Sequence, residues 1–171
     1  QRQMCIRDSI HSELLTHRVF SRNSASSRAI PVEKMIELIQ ENPAMPIHWG
    51  ENKSGMQADK QIEDIDCAKR VWLNSMRMSL VYARELSKHG VHKQVVNRII
   101  EPYQTMKTIL STTELDNFFA LRNHKDAQPE IHHLAHEMKV AMDNSNPFQM
   151  KQGEWHLPYI TKEMLNEHGL E

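Results

Sequence analysis

Apolar residues recur at intervals of three and four along much of the chain, which is the spacing of one buried helix face. From Val32 to Asn42 this spacing predicts a helix that ends before Pro43. A longer helix is predicted from Asp59 to Lys88, with Gly90 in its C-terminal cap. Its predicted buried stripe consists of Ile62, Ile65, Trp72, Ser75, Met76, Ser79, Leu80, Ala83 and Leu86.

The second half of the chain contains shorter patterns. Residues 91–100 are predicted to form a short helix, and residues 103–110 fit either a helix or a strand. A further short helix is predicted to run to Leu121 with Thr113 as its N-cap, and a longer one to cover residues 127–143. The inward positions of that last helix are predicted to be Ile131, Leu134, Ala135, Met138 and Met142.

Length and composition favour a single intracellular domain. The chain has 171 residues, of which 39% are hydrophobic and 25% charged, so it can bury a sizeable core. A net charge of −1 argues against a general nucleic-acid or membrane-surface binder. Cys5 and Cys67 provide no disulfide framework, which fits the cytoplasm, and the sequence shows no signal peptide or membrane-spanning run.

Residues 16–28 stand out because three arginines, one histidine and four serines occur there, while Leu14 to Val32 contains no acidic residue. Guanidinium groups bind phosphate through paired charge-assisted hydrogen bonds, and serine hydroxyls supply further donors. By composition alone the stretch also fits a solvated linker. Its position between an apolar patch at Ile10 and a helix beginning near Pro31 favours a folded loop that binds a small anionic ligand.

This stretch resembles the signature loop of the flavin-dependent thymidylate synthases, usually Arg-His-Arg-x-x-Ser-x-Asn-x-x-Ser-x-Arg-Tyr. The chain departs from it at Thr16 and Ala29, and at Ser24, where many members carry Glu. Two later blocks, residues 98–102 and 117–131, resemble the family's Arg-Ile-x-x-Pro, Asn-Phe-x-x-Leu-Arg and Ala-Gln-x-Glu-Ile elements. The matching signature positions are His17, Arg18, Ser21, Asn23, Ser26 and Arg28.

The resemblance implies a helix-rich α/β (α+β) fold with a central mixed sheet flanked by long helices, and it favours a strand at residues 103–110. Residues 1–9 are interpreted as a non-native leader and given no element. Residues 10–145 are interpreted as a partial flavin-dependent thymidylate synthase domain, and residues 146–171 as an incomplete C-terminal extension. Relatives are homotetramers with shared active sites, so the same assembly is expected here.

The resemblance further implies reductive methylation of dUMP to dTMP, with methylenetetrahydrofolate as the carbon donor and NADPH reducing FAD. The five glycines of the chain cannot build a dinucleotide-binding glycine motif or a P-loop, so side chains such as Arg18 would hold the FAD phosphates. Cys67 lies beside Glu63, Asp64 and Asp66, which disfavours a nucleophilic thiolate there. An inert cysteine suits the flavin route, which needs no enzyme thiol.

The resemblance also assigns roles to single residues. Arg122 and Ser26 are the expected catalytic residues. Arg122 is expected to act as a fixed positive charge that stabilises the ionised pyrimidine ring, because arginine stays protonated. The expected dUMP-binding residues are Glu13, Thr16, Ser24, Ser26, Ser27, Arg28, Arg98 and Arg122. The expected FAD-binding residues are Thr16, His17, Arg18, Ser24, Ser111, Thr113 and Asn117.

Two alternatives remain open at this point. His132 and His136 are spaced i, i+4, as in helical zinc sites, which would suit a metal-dependent hydrolase. However, His133 stands where a zincin has its catalytic Glu, so no metal is expected. The second alternative is a small anionic-ligand-binding module without catalysis. A Ser/Arg nucleic-acid module is disfavoured because Phe20 is the only aromatic residue among the basic ones.

Overall fold

The computed structural model describes residues 2–26, 28–54, 60–147, 149–154, 164 and 167, with residues 2–9 described by their backbone. Helices dominate this part of the chain, as predicted. The strands are β1 (Arg2–Arg7), β2 (Phe20–Ser24) and β3 (Thr105–Thr112). The helices are α1 (Asp8–Leu14), α2 (Val32–Glu41), α3 (Ile65–Lys88), α4 (Lys93–Val96), α5 (Asp116–Arg122) and α6 (Pro129–Asp143), with 3₁₀ turns at Asn97–Ile99 and Glu101–Tyr103.

The three strands form one sheet in the order β1-β3-β2, and both pairings are antiparallel. The expected mixed sheet is therefore wrong for the described residues. β1 and β2 run in the same direction but lie on opposite sides of β3, so they make no parallel pair. On β3, Thr108 and Leu110 are buried whereas Thr105 and Lys107 are exposed, which is the alternation of a sheet with one covered face.

The N-terminal segment differs from the prediction. Residues 2–7 were given no element, but they form β1, whose Arg2 pairs with Leu110 and whose Arg7 pairs with Thr105. Three central apolar residues flanked by polar ones give too short a pattern to identify a strand, and the pairing partner lies about a hundred positions away. The proposed division of the chain at residues 9 and 145 remains a prediction.

The predicted helix at residues 32–42 is confirmed as α2, and the long helix is confirmed as α3 with a later start. α3 begins at Ile65 instead of Asp59 because the Asp64 side chain accepts a hydrogen bond of 2.8 Å from the backbone N–H of Cys67. Gly90 adopts a φ of 77°, as expected for the residue that ends a helix. The loop before α3 folds back on itself through an isolated bridge between Gly50 and Gln61.

The strand favoured at residues 103–110 is confirmed as β3, but three details of this half were wrong. The helix predicted over 91–100 is α-helical only at Lys93–Val96 and continues as 3₁₀ turns. Thr113 does not cap α5, which begins at Asp116 without a side-chain cap. In α6 the Gln128 side chain provides the cap by accepting from the N–H of Ile131 at 3.0 Å, and Met142 is 42% exposed instead of buried.

Two apolar clusters stabilise the fold by removing their side chains from water. The first joins α2, α3, α4 and the 3₁₀ turns, and the second joins α1, α5 and α6. Among the described residues, no helix is both long and apolar enough to cross a bilayer. The first cluster contains Val32, Met35, Ile36, Ile39, Met76, Leu80, Ala83, Val96, Ile100 and Tyr103; the second contains Ile10, Leu14, Phe118, Ile131 and Ala135.

Candidate functional site

The signature segment begins as a tight turn after α1 and continues as β2. The N–H groups of Thr16 and His17 donate to the carbonyls of Glu13 and Leu14 at 3.1 and 3.2 Å, which closes the turn. The N–H of Phe20 then donates to the carbonyl of His17 at 3.1 Å, where β2 starts. Pairing with β3 extends the rest of the segment and places Ser21 opposite Ser111. The segment is therefore held at its start by the hydrogen bonds of the turn and further along by its pairing with β3.

The turn brings His17 and Thr16 to the end of α5, where Arg122 lies. The Arg122 Nε–H donates to Nε2 of His17 at 3.1 Å, and its terminal N–H group donates to the Thr16 hydroxyl at 3.5 Å. The His17 ring is buried, and it meets Phe118 edge-to-face at a centroid distance of 5.0 Å. Thr16 and His17 from the signature segment thus contact Arg122 from the block at residues 117–131.

Burial lowers the pKa of His17 below its ordinary value of 6.5, and the positive charge of Arg122 lowers it further. Both causes disfavour the imidazolium form. The ring is therefore neutral at pH 7, and only a neutral ring has a free nitrogen lone pair with which to accept the hydrogen bond from Arg122.

A second polar cluster lies around Ser24, on the edge strand β2. Its hydroxyl is 2.9 Å from the hydroxyl of the buried Thr108 and 3.1 Å from Nε2 of His11. Arg22 approaches the same His11 nitrogen at 2.8 Å. The sequence assigned a role to Ser24 but missed His11, Arg22 and Thr108. Arg22 could have been found from the sequence, because it lies two positions before Ser24 in the basic segment and so on the same face of a strand. Thr108 could not, because only the pairing of β2 with β3 brings it to Ser24.

A third group joins the end of the signature segment to α4 and the following 3₁₀ turn. The Ala29 N–H donates to the Ser26 carbonyl at 3.0 Å, and the Lys93 ammonium donates to the Ala29 carbonyl at 2.9 Å. Asn97 donates to the carbonyl of Ile30 at 3.1 Å. The turn that carries Arg98 is therefore fixed beside the chain that follows Arg28, although Arg98 itself forms an ion pair of 3.2 Å with Glu101.

Three arginines of the matching blocks lack a carboxylate partner among the described residues: Arg18, Arg28 and Arg122. Arg18 and Arg28 are exposed, and Ser26 beside them is exposed as well. An arginine that is not neutralised by the protein retains its full attraction for an anionic ligand. Ser27 lies outside the described residues.

The residues expected to bind FAD lie on or next to β3 and α5. Ser111 is partly buried near the end of β3, whereas Thr113 and Asn117 are exposed on the way into α5 and in its first turn. Arg18 supplies the only charged group of the expected set. These hydroxyl, amide and guanidinium donors suit a ligand with phosphate and carbonyl oxygens, so the donor set fits FAD without a glycine-rich turn.

Glu13 lies at the C-terminal end of α1, one turn before the His17–Arg122 contact. Its Oε2 atom is buried and has no hydrogen-bond partner. A buried carboxylate oxygen without a donor is costly, so this atom marks a position where a donor group of a ligand would be stabilised. The pyrimidine ring and the sugar of a uridine nucleotide both carry such donors.

The alternative metal site does not form in the described part of the chain, where no group of three or more His, Cys, Asp or Glu side chains is placed to hold an ion. His132 is partly buried, and His133 and His136 are exposed on α6. The i, i+4 pair therefore lacks the third ligand that a catalytic zinc site needs.

A comparison with known protein families identifies one match that covers most of the chain. The profile of the family described as thymidylate synthase complementing protein matches residues 5–148. The chain belongs to this family of flavin-dependent thymidylate synthases. Arg18, Arg28 and Arg122 lie inside the matched range, as do the three groups of polar contacts described above. The resemblance stated from the signature segment is thereby confirmed at the level of the family.

The fold is similar to that of a crystallised bacterial enzyme. Two structures of the UMP/dUMP methylase PolB from Streptomyces cacaoi, bound with 5-Br UMP and with 5-Br dUMP, match with TM-scores of 0.62 and 0.59 at 17% and 14% identity. Both matches cover 82% of this chain, which spans 66% and 63% of those two chains. The comparison with curated protein sequences finds no match.

Proposed function

We propose that the chain carries the nucleotide and flavin site of a flavin-dependent thymidylate synthase, which converts dUMP to dTMP. Methylenetetrahydrofolate is the proposed carbon donor and NADPH the proposed reductant. FAD, when bound, supplies the redox chemistry that passes reducing power to the methylated product. The observation that carries this proposal is the convergence of Thr16 and His17 with Arg122, from two separate motif blocks. The guanidinium group at which they meet forms no ion pair with any carboxylate of the described residues.

The proposed roles of the chain's own residues are those that the family resemblance implies. Arg28 is proposed to bind the dUMP phosphate, and Arg98 to do so after releasing Glu101, because the Arg98 side chain is exposed and can turn toward a ligand. Glu13 accepts a hydrogen bond from the nucleotide. Ser26 is proposed to lie near the base, and Arg122 beside the ring, where its charge stabilises the developing anion. The remaining proposed dUMP contacts are Thr16, Ser24 and Ser27.

For FAD, Arg18 is proposed to bind the phosphates, because its guanidinium is exposed and has no carboxylate partner among the described residues. The other proposed contacts are polar groups that complete this surface. They are Thr16, His17, Ser24, Ser111, Thr113 and Asn117.

We further propose a homotetramer with shared active sites. The chain leaves an apolar strip of α3 exposed at Val71, Met78, Val81 and Tyr82, which lie on one side of the helix at intervals close to its period. Exposed apolar side chains grouped on one side of a helix are typical of a surface that another protein covers. The free, exposed thiol of Cys67 fits a reducing environment, and we propose that the protein works in the cytoplasm.

The experiment that tests the function supplies the purified protein with FAD, NADPH, methylenetetrahydrofolate and dUMP, and measures dTMP by chromatography. We expect dTMP to form and to depend on each component. A parallel reaction with UMP determines whether a nucleotide with a ribose is accepted. We include it because PolB, whose fold is similar, is described as a UMP/dUMP methylase. Binding of dUMP and FAD without dTMP would instead support the anionic-ligand module, and absence of both would contradict the proposal.

A further inference from the structure

Arg122 donates a hydrogen bond to an unusual partner. Guanidinium groups at the ends of helices commonly meet carboxylates, whose negative charge cancels their own. Here the Nε–H of Arg122 donates to an imidazole nitrogen of His17 at 3.1 Å, and in the described part of the chain no carboxylate forms an ion pair with Arg122. The contact joins positions that are 105 residues apart in the sequence.

The imidazole that accepts this bond packs against two aromatic rings, which also contact each other at a centroid distance of 5.0 Å. Phe118 meets it at 5.0 Å with an interplanar angle of 85°, and Phe20 lies at 5.5 Å. Phe118 is 1% exposed and precedes Arg122 by one turn on α5. Helix α5 therefore carries both Arg122 and Phe118, which packs against the His17 ring that accepts the hydrogen bond from Arg122.

The chemistry of the two groups determines the protonation of the ring. Every nitrogen of a guanidinium group is a donor, so Nε2 of His17 must accept, and the single ring proton must reside on Nδ1. A neutral acceptor orients the guanidinium without neutralising it. The terminal N–H groups of Arg122 then remain charged, with the Thr16 hydroxyl at 3.5 Å as their other neighbour.

We propose that His17 is a positioning residue for Arg122: its neutral imidazole holds the guanidinium at Nε and leaves the full positive charge available to the anionic pyrimidine. This role rests on the proposed function, because Arg122 acts on the ring only if the chain binds a uridine nucleotide. It differs from the flavin contact that the resemblance implies for His17. A side chain that contacted only the flavin would have no reason to be joined to Arg122.

The first test separates the acceptor from the ring. His17→Phe keeps an aromatic ring packed against Phe20 and Phe118 but removes the acceptor, whereas His17→Gln retains a neutral acceptor oxygen. We expect His17→Phe to lower kcat by about 10- to 100-fold with little change in KM for dUMP, as for the loss of one hydrogen bond to a charged group. His17→Gln should recover much of this loss. The exposed His133→Gln serves as the control and should leave kcat unchanged.

A second measurement is independent of turnover and of whether His17→Phe folds. Nitrogen-15 NMR of the imidazole in the unsubstituted protein should show the Nδ1–H tautomer at neutral pH, and Arg122→Ala should raise the pKa of His17. A proton on Nε2, or equal kcat for His17→Phe and His17→Gln, would overturn the positioning role while leaving the proposed function intact. Absence of dTMP together with the Nδ1–H tautomer would contradict the proposed function, and with it the action of Arg122 on a pyrimidine, while supporting the hydrogen bond from Arg122 to a neutral His17.

Discussion

Arg28 and Arg122 have chemically identical side chains, but we propose that they serve different steps. Arg28 lies in the exposed turn that ends the signature segment, where a phosphate would be bound equally in the ground and transition states. We therefore expect Arg28→Ala to raise KM for dUMP by about 10- to 100-fold with little change in kcat, for one lost charge-assisted contact of about 1.5–3 kcal/mol. Steady-state kinetics with dUMP varied at saturating folate and NADPH measures this.

Arg122 should behave in the opposite way, because the charge it faces grows as the pyrimidine ring ionises. We expect Arg122→Ala to lower kcat by about 10²–10³-fold, the range for removing one preorganised electrostatic donor. Arg122→Lys should recover only part of the loss, since an ammonium group lacks the planar fork of donors.

The matched control for Arg122→Ala is Arg84→Ala. It removes an arginine from α3 that is paired with Glu33 at 3.3 Å, away from the signature segment, and should leave turnover unchanged. If Arg122→Ala changed KM alone, its assignment as a catalytic residue would be wrong.

The lowered pKa of His17 predicts a pH dependence of stability. As the pH falls below about 6.5, the unfolded chain protonates this histidine before the folded protein does, so the unfolded state binds more protons. The stability associated with the neutral ring is complete above pH 6.5 and is lost as the pH falls toward the folded pKa. Urea unfolding between pH 5 and 8 should show a smaller decline for His17→Gln than for the unsubstituted protein, and identical slopes would contradict the burial of a neutral ring.

At the scale of elements, local periodicity located the helices better than their ends. The stripes of α2, α3 and α6 were recognised because a helix repeats every 3.6 residues, a signal contained within the element itself. Their starts depended on which polar side chain caps the first turn. Asp64 and Gln128 do so, whereas Thr113 does not, because α5 begins only at Asp116. In the preceding turn the hydroxyl of Thr112 bonds with the backbone of Glu114 at 2.8 and 3.2 Å.

This difference between caps can be measured. Asp64→Ala removes the acceptor for the Cys67 N–H and should lower the free energy of unfolding by about 1 kcal/mol. Thr113→Ala, at the exposed position where the sequence predicted a cap, should change it by less than about 0.5 kcal/mol. Chemical denaturation of the two variants gives the comparison, and equal losses would show that α3 does not depend on this cap.

At the scale of the whole molecule, the proposed tetramer depends on the exposed strip of α3. Replacing Met78 or Tyr82 by Glu places a charge in an apolar contact and should dissociate the assembly, because burying an unpaired charge is strongly unfavourable. Light scattering should then report a smaller species for these variants. Because shared sites require the assembly, the activity of the unsubstituted protein should also fall on dilution. Glu41→Lys, an exposed charge change on α2, is the control and should leave the assembly intact. A fully active monomer would contradict shared sites.

The sequence by itself determined the major helices, the absence of a glycine-rich phosphate loop, and the family, since each of these is encoded in residues close together along the chain. Strand β3 followed from the family resemblance, because its own residues fit a helix or a strand. Only the tertiary structure decided that β1 joins the sheet, that Ser24 meets Thr108, and that His17 holds Arg122. Those contacts join residues that are far apart in sequence. A hydrogen bond between such residues leaves no periodic pattern, because it depends on how packed elements place their side chains together.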